Sequence, residues 1–217
     1  MEKVVIIGSS GAGKTTLARK LSRVLNIRVY HLDRLFWGRK WRGMSRNTRI
    51  DILQQIVMKE RWIIEGTYLK SSEPRLSAAD TIIFLDMPPW LCLWRAFQRH
   101  RKWRGLRRRD IPKGCTDKFG LRAIWKILVF PFQDRRKIIQ KLRNRDSRQV
   151  FWLSSDEEVE AFLAWLRGLA FAQGTQAAHF GPEPADERYH KERADAAGDN
   201  RQNGAEELCY QTRFKAS

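Results

Sequence analysis

Apolar and polar positions follow two alternating patterns along the first 171 residues. Apolar runs predict buried strands at 4–7, 62–64, 81–85 and 150–153, and a further short strand is predicted at 28–32, which makes five. Apolar residues at helical spacing predict helices at 17–25, 50–57, 90–102, 121–129 and 135–143, and the S-x-x-E run at 155–158 has the form of a capping box that opens a last helix. Buried strands interleaved with helices predict an α/β fold, a five-stranded parallel sheet doubly wound by helices.

The composition changes near residue 171. All nine tryptophans precede this point, and residues 172–217 are rich in Ala, Gly, Gln, Asn and charges of both signs. So little apolar surface does not offset the entropy cost of ordering a chain. The prediction is a folded domain over 1–171 followed by a disordered C-terminal tail over 172–217.

A glycine-rich segment stands between the first predicted strand and the first predicted helix. It reads G-x-x-x-x-G-K-T from Gly8 to Thr15, the Walker A form of a P-loop, with the strand before it and the helix after it that this motif requires. Glycines let successive N–H groups approach a polyphosphate, and the helix adds its positive end. Lys14 supplies a cation for the β- and γ-phosphates, and the Thr15 hydroxyl can bind Mg²⁺. The predicted ATP or GTP contacts are Gly8, Ser9, Ser10, Gly11, Ala12, Gly13, Lys14, Thr15 and Thr16.

Other features narrow the class of nucleotide-binding protein. The guanine-reading N-K-x-D run of switch GTPases is missing, and 171 folded residues are few for a motor or transporter ATPase. A small phosphotransferase remains, in which a basic lid closes over the bound nucleotide to exclude water.

The chain also resembles a known family, the small adenylate-kinase-like P-loop proteins called "DNA topology modulation" proteins. The resemblance runs from residue 3 to about 166 and rests on the P-loop with V-Y-H-L-D at 29–33, R-W-I-I-E-G-T-Y at 61–68, A-D-T-I-I-F-L-D at 79–86 and W-L-C-L-W-R at 90–95. It implies a nucleoside-monophosphate-kinase-like fold and Mg-ATP as cofactor, and leaves the acceptor undefined. The D-G-F-P-R run of adenylate kinases is absent, so AMP is only one candidate acceptor.

Two carboxylates follow predicted strands at the sheet edge where doubly wound folds bind ligands. Asp33 is predicted to orient or deprotonate the acceptor or to hold a metal ion through water, or else to cap the next helix. Glu65 is predicted to bind Mg²⁺ together with Thr15, with Asp86 as the competitor for that role. His31 is predicted to point to the face of the sheet opposite to that of Asp33, and to pack in the core rather than take part in catalysis.

Positive charge is concentrated in the middle of the chain. The whole chain carries 42 Lys and Arg against 24 Asp and Glu, a net charge of +18, and residues 95–148 alone hold 19 against 4, or +15. A basic helical lid is predicted over about 95–137, and the resemblance implies that Arg95, Arg99, Arg135 and Arg136 stabilise the transferring phosphoryl group. One phosphoryl group needs only two to four such cations. The remaining Lys and Arg residues fit a solvated basic face, a nucleic-acid contact over 95–148 or contact with an acidic membrane surface. The membrane is the least favoured of the three, because the helix side opposite the basic stripe has too little apolar surface.

Two hypotheses therefore stand. The first is a Mg-ATP-dependent kinase acting on a nucleotide, a nucleoside or another small-molecule acceptor. The second is a nucleic-acid-associated ATP-binding protein that works through its basic segment. No apolar run is long enough for a membrane span, the N-terminus lacks the form of a signal peptide, and three widely spaced cysteines indicate reduced thiols in a cytoplasmic protein.

Overall fold

A computed structural model describes residues 1–38, 41–104, 115, 119–143 and 149–172. The predicted disordered tail, apart from its first residue, lies outside the described residues, at 173–217. The arginine run at 107–109 in the predicted lid, and the end of the basic segment at 144–148, lie outside them too.

Five parallel strands form one sheet in the order β2-β3-β1-β4-β5, which confirms the predicted fold class. The strands are β1 (Lys3–Gly8), β2 (Val29–His31), β3 (Trp62–Glu65), β4 (Thr81–Leu85) and β5 (Gln149–Leu153). In the central strand, Ile6 is level with Glu65 of β3, and Gly8 is level with Leu85 of β4. The carboxyl ends of these three strands therefore meet at one edge of the sheet.

The described helices are α1 (Lys14–Leu25), α2 (Leu32–Phe36), α3 (Arg46–Val57), α4 (Glu73–Ala78), α5 (Pro89–Lys102), α6 (Leu121–Val129), α7 (Asp134–Arg143) and α8 (Asp156–Ala172). A 3₁₀ turn occupies Leu69–Ser71. The sequence predictions missed α2 and α4, because helices of five and six residues are too short to show a 3.6-residue period. The six longer helices all lie where the apolar spacing or the capping box predicted them.

Local sequence signals define several helix ends. Asn26 ends α1 in the left-handed conformation, with φ of 52°, as expected of a helix stop. At the start of α8 the Ser155 hydroxyl accepts the Glu158 N–H at 3.2 Å. The Glu158 carboxylate accepts the backbone N–H of Ser154 at 2.6 Å, one residue earlier than a capping box requires.

The sheet is buried on both faces because alternate residues of its strands pack in opposite directions. Val4 and Ile6 of β1 join Leu17 and Leu21 of α1 and Leu163 of α8 in one apolar cluster. Val5 and Ile7 are buried as well but lie outside that cluster, on the other face. This two-sided burial explains why the strands read as continuous apolar runs.

The P-loop is packed tightly against the central sheet and α5. A Cβ added to Gly11, whose φ is +86°, would lie 2.1 Å from the carbonyl oxygen of Cys92 in α5. A Cβ at Gly8 would lie 2.5 Å from the carbonyl oxygen of Leu85. Both contacts involve backbone atoms, which cannot turn aside, so glycine is a packing requirement at these two positions.

We expect Gly11→Ala to lower the free energy of unfolding by about 2 kcal/mol or more, because the added methyl group forces α5 and the loop apart at an unfavourable φ. Urea denaturation measures this loss. Gly168→Ala is the matched control: the space around Gly168 in α8 is open, so a gain of about 0.5–1 kcal/mol is expected there. Equal stability of Gly11→Ala and the unchanged protein would contradict this packing.

Candidate functional site

An open cleft of about 1340 Å³ lies at the carboxyl edge of the sheet. The P-loop forms its floor, with the segment from Glu65 to Lys70 on one side and residues of α5, α6 and α7 on the other. Ligands of doubly wound folds bind at this edge because the loops that follow parallel strands converge there. All nine residues predicted to contact nucleotide, Gly8 to Thr16, line this cleft.

The P-loop has the features of a phosphate cradle. Gly13 precedes helix α1 as its N-cap residue and provides no side-chain cap. The first turn holds no acidic residue, which leaves its N–H groups for an anion. A Cβ added to Gly13 would lie 3.9 Å from Arg95 Nη1, an ordinary van der Waals distance, so no tight contact fills this part of the loop. The loop therefore fits a polyphosphate.

Lys14 is held within the loop. Its Nζ donates a hydrogen bond of 2.7 Å to the Ser9 carbonyl oxygen. Burial lowers the pKa of Lys14, and the negative charges of Glu65 and Asp33 partly oppose that shift. The charged ammonium group lies beside the loop that is suited to phosphate, where it can neutralise phosphate oxygens.

Glu65, at the end of β3, lies beside the P-loop. Its Oε1 accepts the Thr15 hydroxyl at 3.1 Å and lies 2.9 Å from Nδ1 of His31. Burial by itself raises the pKa of Glu65. This effect is outweighed by the hydrogen bond and charge of His31, the charge of Lys14 and the hydrogen bond from Thr15, which together hold the pKa below its ordinary value. Glu65 is therefore a carboxylate at neutral pH.

The position of His31 differs from the prediction. Strand β2 ends at His31 and α2 starts at Leu32, so strand alternation does not relate His31 to Asp33. Instead His31 is level with Glu65 on the neighbouring strand, and such partners point to the same face of a sheet. The sequence shows that His31 and Glu65 lie at the ends of their strands. That position predicts a contact only if β2 is known to pair with β3.

The two candidate metal ligands lie together. A hydroxyl from Thr15 and a carboxylate from Glu65 are hard oxygen donors, and Mg²⁺ binds through few protein ligands while keeping water and phosphate oxygens. Asp86 is engaged elsewhere: both its oxygens accept Arg135 Nε at 2.9 Å, and Oδ2 also accepts Trp152 Nε1 at 3.0 Å. Within the described ranges no cluster of three His, Cys, Asp or Glu side chains suits a metal ion. Thr15 and Glu65 thus fit Mg²⁺ together with a nucleotide.

Asp33 lies in the first turn of α2 and lines the same cleft. Its Oδ1 accepts the Tyr68 hydroxyl at 2.5 Å, and that hydroxyl accepts Trp37 Nε1 at 2.6 Å. Burial and the charge of Asp33 raise the pKa of Tyr68, so its phenol stays a hydrogen-bond donor. The predictions missed Tyr68 and Trp37, because nothing in the local pattern connects either residue to Asp33.

Thr67 ties the segment that follows β3 to the P-loop. Its hydroxyl donates to the Gly8 carbonyl oxygen at 2.5 Å and accepts the Gly8 N–H at 3.4 Å. Arg75 Nη2 donates to the Thr67 carbonyl oxygen at 2.6 Å from the interior of the protein. Burial lowers the pKa of Arg75 to about 9, opposed by the charge of Glu65. Neither Thr67 nor Arg75 was predicted from the sequence.

Only two of the four predicted phosphate-stabilising arginines line the cleft. Arg95, which pairs with Asp156, and Arg99 do so from α5. Arg135 is bound to Asp86 and lies over the Trp152 ring at 5.6 Å, and Arg136 is exposed outside the cleft. The other cations of the cleft wall include Lys102, Lys126, Lys137 and Lys141.

Helix rotation explains the difference in α7. Asp134, Lys137 and Lys141 line the cleft at intervals of three and four residues, so they share one face. Arg135 and Arg136 are rotated about 100° and 200° from Asp134, which carries them off that face. The spacing of the lysines was the sequence signal that could have identified this face.

Comparison with known proteins gives distant likenesses. No protein-family model matches the chain and no curated protein sequence matches it, so membership of the DNA topology modulation family is not confirmed. Solved structures that resemble it include shikimate kinases from Bacteroides thetaiotaomicron (TM-score 0.46, 20% identity, 76% of this chain and 96% of that one), Aquifex aeolicus (0.44, 22%, 77% and 98%) and Acinetobacter baumannii, in complex with shikimate (0.48, 12%, 80% and 94%). Likenesses this distant say nothing about the substrate of the present chain.

We expect Glu65→Gln to reduce the loss of stability in acid. A carboxylate whose pKa is depressed by folding stabilises the fold above its unfolded pKa of about 4.3, and this contribution disappears as the pH falls through the lower folded value. Urea denaturation from pH 6 down to about pH 3 should therefore show a shallower decline in the variant. Glu60→Gln, a change at an exposed position, is the control. Parallel pH profiles for Glu65→Gln and the unchanged protein would refute the depressed pKa of Glu65.

Proposed function

We propose that this protein is a P-loop kinase, a phosphotransferase that moves the γ-phosphate of ATP, with Mg²⁺, to a nucleotide, a nucleoside or another small acceptor. The observation that carries the proposal is that one cleft holds a phosphate cradle, a hydroxyl–carboxylate pair suited to Mg²⁺ and a second carboxylate. This second carboxylate, Asp33, has no use in a protein that only binds nucleotide, whereas phosphoryl transfer uses such a group to orient or deprotonate the acceptor.

The nucleotide end of the cleft is assigned to the P-loop. Backbone N–H groups at the start of α1 and the ammonium of Lys14 bind the β- and γ-phosphates, which replace the Ser9 carbonyl oxygen as the partner of Lys14. Thr15 and Glu65 would hold Mg²⁺, and the ion would supply positive charge to neutralise the phosphate oxygens. Because Glu65 stays ionised while buried, it presents a full negative charge to the metal ion.

The acceptor end is assigned to Asp33. The acceptor oxygen forms a bond to the γ-phosphorus as the bond between that phosphorus and the β–γ bridging oxygen breaks, and ADP leaves. If the acceptor is an alcohol, its proton passes to Asp33. Tyr68 holds Oδ1 of that carboxylate, so Oδ2 is the atom assigned to the proton.

The stabilisation of negative charge that develops on the phosphoryl group during transfer is assigned to cations of α5. Arg95 and Arg99 line the cleft on the side of α5 that faces the P-loop, as Lys102 does. Arginine suits this role because its guanidinium stays charged and binds phosphate oxygens in pairs. Arg135 and Arg136 are left out of the proposal, because the first is bound to Asp86 and the second is exposed outside the cleft.

The hypothesis of a nucleic-acid-associated ATP-binding protein has less support. Many cations of the basic segment that the structure describes face the cleft, where small phosphates fit, and no observation on the described chain favours a polynucleotide. The kinase is therefore the function proposed.

We expect Lys14→Ala to remove measurable ATP binding while leaving the fold intact, because the variant loses the buried cation that neutralises the phosphates. Isothermal titration with Mg-ATP measures binding, and circular dichroism checks the fold. Lys59→Ala, at an exposed lysine after α3, is the matched control and should bind ATP normally. Unchanged affinity in Lys14→Ala would disprove the assignment of the P-loop.

Phosphoryl transfer itself is tested by screening the purified protein with Mg-ATP against nucleosides, nucleoside monophosphates and small hydroxyl or carboxylate metabolites. We expect one class to be phosphorylated, and Asp33→Asn to lower kcat for it by about 100-fold or more with ATP affinity unchanged, because the amide cannot accept the proton. Asp51→Asn, at an exposed position of α3, is the control. ATP binding without transfer to any acceptor would favour the nucleic-acid hypothesis over the kinase.

A further inference from the structure

Helix α5 has a second side that faces away from the cleft. Trp90, Trp94 and Phe97 recur at intervals of four and three residues, and their exposed fractions lie between 40% and 69%. Helical geometry places this stripe about 140–180° around the axis from Arg95 and Arg99, which line the cleft. Large aromatic side chains are thus exposed along the outer side of a helix whose inner side faces the proposed nucleotide site.

Helix α6 repeats this arrangement. Leu121, Trp125 and Leu128 share one stripe, with exposed fractions between 43% and 87%, while Ile127 on the other side is buried. A helix that is apolar on both sides needs a second apolar environment besides the core. The two stripes and Phe132, also exposed, are called the aromatic face here.

The helices that carry the aromatic face adjoin each other. The ring centroid of Phe97 lies 5.9 Å from that of Phe119, two residues before the start of α6. Exposed apolar stripes on two adjoining helices exceed the single apolar residues that soluble proteins commonly expose.

Charge on these helices has a single sign. Helices α5 and α6 contain no Asp or Glu, and their exposed cations include Arg101 and Arg122. The Arg101 guanidinium lies 6.0 Å from the centroid of the Phe97 ring, within the aromatic stripe. An occupant of this face must therefore offer negative charge as well as an apolar phase.

We infer that the aromatic face is a docking surface for an anionic lipid bilayer. Trp, Phe and Leu side chains enter the boundary between headgroups and acyl chains, while neighbouring arginines bind anionic headgroups. None of the described helices is long and apolar enough to cross a bilayer, so this contact lies on the membrane surface. The expectation that too little apolar surface opposes the basic stripe is corrected here, because Trp90, Trp94 and Phe97 supply it.

Two other occupants fit the surface less well. A second copy bound through the same patch would bring the cations of one copy, such as Arg101 and Arg122, against those of the other, with no carboxylate from either helix to offset the repulsion. A nucleic acid would stack bases on the tryptophans but leave Leu121 and Leu128 without a partner. Anionic lipid satisfies both the charge and the aliphatic surface.

Vesicle co-sedimentation of the full chain tests this inference. We expect binding to vesicles of phosphatidylcholine mixed with phosphatidylglycerol to exceed binding to pure phosphatidylcholine by at least about tenfold, and to weaken as salt screens the arginines. Equal sedimentation with both vesicle types, or none with either, would overturn it. The test is independent of the proposed kinase function, because it needs neither ATP nor an acceptor.

Variants locate the contact on the protein. Trp94→Ser combined with Trp125→Ser should lower binding to the anionic vesicles at least about tenfold, because each of the two stripes loses a large inserted side chain. Met58→Ser, a change at an exposed apolar residue on α3's C-terminal end, is the control and should bind as the unchanged protein does. ATP affinity should stay unchanged in both proteins, since neither surface lines the cleft.

A second pair of variants keeps the test decisive if the serine variant fails to fold. Arg101→Glu combined with Arg122→Glu should abolish the preference for anionic vesicles, whereas Arg23→Glu on α1 should not. Vesicle binding unaffected by either pair would refute the docking surface. If the protein is a dimer and the tryptophan changes dissociate it, the occupant is a second copy instead. If the protein binds a single-stranded oligonucleotide more tightly than it binds anionic vesicles, and the same variants lose that binding, the occupant is a nucleic acid.

Discussion

The cleft depends on keeping the Glu65 carboxylate charged although it is buried at the end of β3. A buried anion is costly unless charges and hydrogen bonds compensate for lost water. Here His31, Thr15 and Lys14 provide that compensation from β2 and the P-loop. The same contacts hold the P-loop lysine and hydroxyl near a carboxylate, which is the arrangement that a magnesium nucleotide requires. Stability of the sheet edge and capacity to bind phosphate therefore rest on one group of interactions.

The segment after Glu65 connects the two ends of the cleft. Thr67 is bonded to Gly8 of the P-loop, and Tyr68, the next residue, is bonded to Asp33 at the acceptor end. Arg75 holds the Thr67 carbonyl oxygen from the interior, with two other guanidinium nitrogens buried and without hydrogen-bond partners in the described chain. The proposed nucleotide and acceptor ends are thus positioned by neighbouring residues of one short backbone segment, which favours a constant distance between them.

The large positive charge of the chain divides between surfaces with different surroundings. Arg95 and Arg99 on α5 face the cleft beside the P-loop, where phosphate is expected. Arg101 lies on the outer side of the same helix among exposed aromatic rings. A helix turns by about 100° per residue, so a short run of arginines serves both sides of α5. Net charge alone therefore does not identify the partner of this protein.

The parallel α/β sheet, the P-loop and the carboxylates at Asp33 and Glu65 were predictable from the amino-acid sequence, because each leaves a local signal: apolar runs, glycines at required spacings, or an acidic residue directly after a predicted strand. The contact of His31 with Glu65, the hydrogen bond of Tyr68 to Asp33 and the pairing of Arg135 with Asp86, which keeps Arg135 out of the cleft, could be seen only in the folded chain. Those outcomes depend on strand order and helix rotation, which join residues 34 to 49 positions apart. Spacing along the chain carries no information on such contacts, because it describes one element at a time.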